Sequence, residues 1–319
     1  VDRAGLNVEQ RMTELRSLLN NAGEVALGEM GHFSHSQDIS DMVEVAKKAV
    51  QGKTLSNALL GFANLHKPEW NSIEGTVKRM MRDHPMISLF PTTMIGHDGR
   101  VVAKHPGLSL GDSDSSENDE VFWSEAVKHH SLMVSLVVQG AILPALELMV
   151  LEHRIHETDW VHLCFQSPVV PPGRERLWGK ALSAGYAFDF VTALHLLCPQ
   201  LEHLVRSRLN AHEVKTTTLS LKGIETENGL SKLMDYPESK EILGKDLWSE
   251  IQAVFCDANG PNLRNEVAHG LMPDGACHSI QSIYAWWLCY RIVFNTYWNS
   301  THSINPTTEQ AEDEKEGES

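Results

Sequence analysis

The sequence lacks the cysteine pattern of a disulfide-bonded or cysteine-ligated zinc protein. Its five cysteines are odd in number and scattered, and no two of them stand in CxxC spacing. Closely paired cysteines mark disulfide frameworks and structural zinc sites, so both classes of protein are excluded. No signal-peptide pattern is recognisable near residue 1. We therefore expect free thiols in a reducing, cytoplasmic compartment.

Basic charge is also scarce. The chain carries 27 Lys and Arg residues against 42 Asp and Glu residues, which gives a formal net charge of −15. The acidic excess lies mainly in residues 1–170 (−8) and 301–319 (−5), whereas residues 171–300 are near neutral (−2). Proteins that coat long nucleic acids need many Lys and Arg contacts to phosphates. This balance argues against such a surface, but it is compatible with a site for a few nucleotides in residues 171–300.

Apolar residues recur at helical spacing through the first 90 residues. Between glycine and proline breaks, the pattern predicts four helices, at residues 8–19, 39–50, 54–65 and 72–83. β-branched residues then flank Asp98-Gly99, a dipeptide typical of tight turns, so a small hairpin is predicted near residues 87–104. The acidic segment at residues 112–120 is interpreted as a solvated loop. We expect residues 1–165 to form a helical region that contains this hairpin.

Residues 131–151 form the most apolar run of the chain and are long enough to cross a bilayer. The run contains Gln139, Pro144 and Glu147, and no basic cluster anchors either end. We interpret it as a buried central helix that bends at Pro144, and we expect no membrane partner. The alternative is a membrane-anchored adaptor, for which this run would be the anchor.

The second half of the sequence predicts a helical domain at residues 169–300. Three prolines precede Gly173 and indicate a boundary at residues 166–173. Apolar periodicity then predicts a long helix at residues 188–209. A further helix at residues 280–298 carries aromatic residues on nearly every side, which predicts burial in a bundle or a place in a dimer face.

The expected fold is therefore mainly α. A helical bundle at residues 169–300 packs on the all-helical region of residues 1–165, which includes the one small β-hairpin. The acidic residues 301–319 are predicted to be a disordered tail.

The stretch with the most chemical content is PNLRNEVAHG, residues 261–270. Pro261 is typical of a helix start and Gly270 of a helix end, so the segment predicts a short helix of about two turns. Arg264 and His269 both lie on this helix, five residues apart. Five residues correspond to about 140° of rotation around a straight helix, so the two side chains do not share a face.

These residue types suit cleavage of RNA without a metal ion. Arg264 is a permanent cation whose planar fork matches phosphate. His269 is the type of side chain that gives and takes protons near neutrality. Asn265 is a polar neighbour that can orient either group. The alternative is a structural capping cluster, in which His269 covers free helix carbonyls and Arg264 pairs with an acid.

Residues 264–270, Arg-Asn-Glu-Val-Ala-His-Gly, match the pattern RNxxxHG. The pattern resembles the signature of a domain-of-unknown-function family that includes the endoplasmic-reticulum membrane-associated RNA degradation protein. That family looks like a branch of the HEPN superfamily (higher eukaryotes and prokaryotes nucleotide-binding domains), whose active members carry R-x4–6-H. PPGRERLWGKAL at residues 171–182 and ALHLLCPQLEHLVRSRL at residues 193–209 resemble the same family in the same order. The resemblance spans residues 169–298.

The resemblance implies a HEPN-like bundle and a metal-independent endoribonuclease that leaves 2′,3′-cyclic phosphate ends. In that enzyme His269 is the general acid/base, Arg264 binds and stabilises the scissile phosphate, and Asn265 orients one of them. The implied partners are RNA (tRNA or single-stranded RNA) and a second copy of the chain, with no cofactor and no metal. A role in anti-phage defence or a toxin–antitoxin system is implied in the same way.

Three further residues are expected to support this site. Glu202 and Arg206 stand four residues apart on the predicted helix 188–209, where they can pair with each other or reach the motif from a neighbouring helix. Glu266 lies within the motif itself. Because many HEPN domains are non-catalytic, the alternative function is a module that binds nucleotide or RNA, or dimerises, within a larger protein.

Overall fold

The computed structural model describes residues 8–29, 37–95, 101–105, 107 and 116–302. It is 72% helical, and its described strands form two small two-stranded antiparallel sheets. The predicted mainly α fold class is confirmed. The turn predicted at Asp98-Gly99 and the tail from residue 303 onward lie outside the described residues.

The helices of the described chain are α1 Val8–Glu29, α2 Ser40–Val50, α3 Leu55–Ala63, α4 Trp70–Asp83, α5 Met86–Leu89, α6 Ser116–Val137, α7 Leu143–Glu152, α8 Glu157–Gln166, α9 Glu175–Tyr186, α10 Phe190–Ala211, α11 Leu230–Met234, α12 Pro237–Leu243, α13 Lys245–Ile251, α14 Leu263–Ala268, α15 Asp274–Cys277 and α16 Ile280–His302. The strands are β1 Thr92–Ile95, β2 Val101–His105, β3 Thr217–Leu219 and β4 Glu225–Glu227. Two π turns, at Val138–Ile142 and Gln252–Cys256, follow α6 and α13.

Contacts divide the chain into two units that do not follow chain order. Of the described residues, unit 1 contains those within Asn71–His129 and those up to Gln37, and unit 2 contains Asp38–Trp70 and those from His130 to His302. The boundary predicted near residues 166–173 therefore falls inside unit 2, where a loop links α8 to α9.

Helix α16 explains why residues 38–70 belong to unit 2. Its aromatic side chains lie on every side of the helix, so they are buried only if other helices pack all around it. Tyr284, Trp286, Trp287 and Tyr290 are all fully buried. Part of the cover comes from α3, whose backbone carbonyls accept hydrogen bonds from Trp287 Nε1 (3.0 Å) and Tyr290 Oη (2.6 Å). Burial of such rings is the largest apolar contribution in a core of this kind. The helix is thus the buried centre of unit 2.

Unit 1 differs from the sequence predictions at α1, which continues to Glu29 instead of ending at residue 19, and in two further places. The predicted hairpin is present, with β1 and β2 antiparallel, but residues 86–89 form the short helix α5 in place of strand. The acidic segment predicted as a loop is partly helical, since α6 begins at Ser116. Carboxylates are favoured in the first turn of a helix by its dipole, so this acidic sequence is compatible with a helix start.

The apolar run lies within a continuous helical stretch, Asn118–Glu152. This stretch is the one helix of the described residues that is long and apolar enough to cross a membrane, and 56% of its most apolar window is buried. The π turn Val138–Ile142, in which the Leu143 N–H bonds to the Val138 carbonyl, lies directly before Pro144, the residue at which a bend is predicted. Proline crowds the carbonyl four residues before it, and a π turn relieves that clash by lengthening the hydrogen-bonded ring.

Candidate functional site

The motif helix α14 is short and ends where the sequence predicts. Gly270 adopts a left-handed backbone (φ 64°), and the Leu271 N–H bonds to the Glu266 carbonyl at 2.8 Å. This is the backbone arrangement in which glycine commonly terminates a helix. The start differs from the expectation at Pro261, because the helix begins at Leu263 after a left-handed Asn262 (φ 47°).

His269 directly follows α14 and is exposed to solvent. Its backbone N–H bonds to the Asn265 carbonyl at 3.0 Å. The imidazole makes no hydrogen bond or ion pair with the part of the chain that the structure describes. It therefore does not cap helix carbonyls, which removes that half of the structural alternative, and its ring nitrogens are open to a ligand.

Arg264 is held by an acid on the neighbouring helix α10. Its Nε lies 3.1 Å and its Nη2 3.0 Å from Oε2 of Glu202, and 26% of the Arg264 side chain is exposed. The guanidinium also lies against Gly229, where an added Cβ would come within 2.6 Å of Nη2. Glycine at position 229 thus leaves the space that the guanidinium occupies.

Glu202 binds donors from three elements. Its Oε1 accepts from Arg206 Nη2 at 2.8 Å, and its Oε2 accepts from the Leu230 N–H at 3.0 Å as well as from Arg264. Burial alone would raise the pKa of Glu202, but the bonds from Arg206 and Leu230 and the charge of Arg264 outweigh it, so the pKa is lowered. Glu202 is therefore an ionised carboxylate that ties α10 to the start of α11 and to the motif helix.

The second guanidinium of this cluster, Arg206, extends the network to strand β4. Its Nε pairs with Glu227 Oε2 at 2.8 Å, and its Nη2 donates to the Asn228 carbonyl at 2.6 Å. The two arginines and two glutamates of the cluster balance in charge. These contacts with Glu227, Asn228 and Gly229 were not predicted from the sequence, although the Asn-Gly dipeptide is itself a turn signal.

The structure thus brings together three of the six predicted site residues, Glu202, Arg206 and Arg264. It shows no contact between the side chains of Arg264 and His269 in the described chain, as expected from their rotation about the helix axis. Asn265 and Glu266 are half-buried on α14, and their carbonyls accept two of the backbone hydrogen bonds that end the helix.

Replacing Glu202 with alanine is expected to lower the free energy of unfolding by about 1–3 kcal/mol, because two guanidinium groups and a backbone N–H lose their acceptor. Denaturant unfolding near neutral pH measures this loss. Glu241→Ala, which removes an exposed carboxylate from α12, is the matched control and should stay within about 0.5 kcal/mol of the wild type. Equal stability of the two variants would show that Glu202 does not hold the cluster.

The stability difference between wild type and Glu202→Ala should depend on pH in a defined direction. Because the pKa of Glu202 is lowered in the folded state, its stabilising contribution is fully present above the unfolded carboxyl pKa of about 4.3. The contribution is lost as the pH falls through the folded value. The difference should accordingly shrink as the pH is lowered from the unfolded pKa toward and below the folded pKa of Glu202.

Chemically, α14 carries a fixed guanidinium on one side and presents an open imidazole at its end. No group of His, Cys, Asp and Glu side chains suited to a metal ion is found among the described residues, so no ligand set is assigned. No protein-family model, curated protein or solved structure matches the chain. What the site does has to be argued from its side chains.

Proposed function

We propose that the chain is a metal-independent endoribonuclease of HEPN type, with His269 as the general acid/base. In this reaction the imidazole moves the proton of a ribose 2′-hydroxyl or of the leaving oxygen. Arg264 stabilises the negative charge that develops on the phosphate, and Asn265 orients one of these two groups. The 2′-oxygen attacks the phosphorus and the 5′-oxygen of the next nucleotide leaves, so the products carry 2′,3′-cyclic phosphate and 5′-hydroxyl ends.

The observation that carries this proposal is the exposed imidazole of His269, which has no partner in the described chain. A general acid/base must reach its substrate proton, so a solvent-facing ring at the end of a fixed helix is suitably placed. Arg264 supports the proposal because Glu202 uses one edge of its fork, Nε and Nη2, and fixes its orientation. A guanidinium carries five N–H donors, which leaves others for a phosphate oxygen.

The proposed enzyme works as a homodimer. Arg264 is directed toward Glu202 on α10, whereas His269 is exposed at the other end of the helix. A second copy that places its own motif opposite the first brings an arginine and a histidine to one phosphate. Light scattering coupled to gel filtration tests this point, and a strictly monomeric active protein would contradict it.

His269→Ala is expected to reduce RNA cleavage by about 10²–10⁴-fold, which is the usual contribution of general acid–base catalysis. The assay incubates total tRNA and a labelled single-stranded RNA with each protein in the presence of EDTA. His195→Ala, which removes another exposed histidine of the same half, should retain cleavage within about twofold. Cleavage by the wild type that survives in His269→Ala would come from another site or another protein and would overturn the proposed mechanism.

The second candidate function is a non-catalytic module that binds nucleotide or RNA. One observation favours it: the Arg264–Glu202–Arg206–Glu227 cluster is charge-balanced, which weakens its pull on a phosphate. On this alternative, wild type and His269→Ala are equally inactive on both RNAs. RNA binding that is reduced in Arg264→Ala, with no cleavage by any variant, would support the module over the enzyme.

A further inference from the structure

Unit 2 contains a cavity of about 670 Å³ that the motif does not reach. Its walls come from the end of α10, the loop between α3 and α4, helices α12 and α13, and α16. The volume lies within the range of sites that enclose small molecules, about 300–1,000 Å³. It is therefore large enough for an organic ligand as well as for an ion.

The lining divides into an aliphatic wall and a cationic mouth. The wall is formed by Leu204, Ile242, Leu243, Leu247 and Ile292. Three donor side chains, Lys67, Arg208 and His212, also line the cavity and are exposed, which places them at its mouth. None of the three forms a side-chain hydrogen bond or ion pair with the described residues. Lys67 and Arg208 therefore bring two positive charges together, without acidic partners among the described residues, in a chain whose net charge is −15.

The two acids that line the cavity are already engaged. Asp246 accepts a hydrogen bond from the Trp70 N–H at 2.9 Å. Glu250 is fully buried and is paired with Arg291 and Tyr284. Asp246 keeps its negative charge, because the N–H that it binds is neutral, whereas Arg291 offsets the charge of Glu250. With Lys67 and Arg208 included, the lining carries one net positive charge apart from its histidines, which favours an anionic ligand over a cation.

His66, which also lines the cavity, adds no positive charge to it. Burial, and then the charge of Arg291, lower the pKa of His66 to about 4, so its ring is neutral at physiological pH. The positive charge at the mouth consequently comes from Lys67 and Arg208. Removing either of these two side chains should therefore lower the affinity for an anion the most.

Helix α10 separates this cavity from the motif site. Leu204 and Arg208 are four residues apart on one face of the helix toward the cavity, and His212 directly follows the helix end. Glu202 and Arg206, which contact the motif, stand two residues earlier and thus about 200° away around the axis. Changes at Arg208 therefore leave the contacts of Glu202 in place.

We propose that this cavity binds a small organic phosphate ester. The phosphate lies at the mouth, where the guanidinium fork of Arg208 binds two of its oxygens and Lys67 and His212 donate to the others. The organic part lies inside against the aliphatic wall, with the amide of Asn295, another lining residue, available for a polar group. The proposal does not depend on the nuclease function.

The test is isothermal titration calorimetry of the full chain with adenosine 5′-monophosphate, adenosine and inorganic phosphate as probes. The nucleotide should bind, inorganic phosphate should compete with it, and adenosine should bind at least about tenfold more weakly because it lacks the charged contacts. Arg208→Ala and Lys67→Ala should each weaken nucleotide binding by about tenfold. Arg176→Ala and Lys180→Ala, which remove exposed cations elsewhere in unit 2, are the matched controls and should bind as the wild type does.

Three results with the wild type, Arg208→Ala and Lys67→Ala would overturn the proposal, as would a loss of nucleotide affinity in His269→Ala. The first is no binding of either phosphate probe at millimolar concentration, and the second is equal affinity for adenosine and its monophosphate. The third is nucleotide binding that is unchanged in Arg208→Ala and Lys67→Ala. His269→Ala distinguishes binding at the cavity from binding at the motif. Unchanged nucleotide affinity in this variant supports the cavity, whereas a loss of affinity would show that the nucleotide binds at the motif. Because the replaced side chains are exposed, circular dichroism is expected to show folded variants throughout.

Discussion

Arg291→Met is expected to lower the free energy of unfolding by about 3–5 kcal/mol, because it leaves a buried carboxylate without its counterion. Glu250 is completely buried, and its partners are the guanidinium of Arg291 and the hydroxyl of Tyr284. Arg291 also donates to the His66 carbonyl at 3.2 Å and lies 5.2 Å from the ring centre of Trp287. Methionine retains much of the arginine stem's apolar packing, so the loss reports mainly on the charge pair.

The size of this loss should depend on pH in a direction set by Glu250. Burial raises the pKa of Glu250, and the charge of Arg291 opposes that rise. Without Arg291 the folded-state pKa rises further. A carboxyl whose folded pKa is raised favours the folded state at low pH and loses that contribution as the pH rises through the folded value. The destabilisation of Arg291→Met should therefore be larger near pH 8 than near pH 5.

Urea unfolding at both pH values measures these effects, with Arg176→Met as the control for losing an exposed arginine of the same unit. Adding Glu250→Gln to Arg291→Met removes the buried charge and should recover part of the stability at the higher pH. A deficit in Arg291→Met that is equal at both pH values, and unchanged in the double variant, would mean that lost packing and not the unpaired charge is responsible.

Most helices could be predicted from the sequence because apolar spacing is local information. The prediction at residues 72–83 corresponds to α4, Trp70–Asp83, and the one at residues 188–209 corresponds to α10, Phe190–Ala211. Helix α16 begins at Ile280 as predicted, although it continues to His302. In each case a stripe or a full surface of apolar side chains marks the residues that must be buried.

Contacts between residues that are far apart in the sequence produce no recognisable sequence pattern. The four-residue spacing of Glu202 and Arg206 indicates that they can pair, but Glu202 and Arg264 are 62 positions apart, and no spacing rule indicates that the same carboxylate also holds Arg264. The pairing of β3 with β4 was not predicted either, because their three-residue strands are too short and polar to show alternation. The sequence therefore identified Arg264 and His269 as chemically promising, while the surroundings of each side chain had to come from the structure.

Glycine positions illustrate the same limit, and one of them carries the last large effect that we expect. Gly185 lies within helix α9, and replacing a glycine inside a helix with alanine normally stabilises the helix. An added Cβ there would fall 2.2 Å from Nε1 and 2.3 Å from Cδ1 of Trp286. Trp286 is fully buried, donates to the Leu182 carbonyl at 3.3 Å and stacks on Tyr290. The added methyl group would therefore collide with a side chain that packing and a hydrogen bond hold in place.

Gly185→Ala is therefore expected to destabilise unit 2 by about 3 kcal/mol, at the upper end of the usual cost of overpacking a core. Gly275→Ala is the matched control, because it adds the same methyl group to helix α15 of the same unit with no atom within 4 Å. That variant should be neutral or gain up to about 1 kcal/mol. Urea unfolding followed by tryptophan fluorescence compares the two. Equal stability of the variants would show that α9 and α16 do not approach as closely as the fold requires, and it would remove the reason for a glycine at position 185.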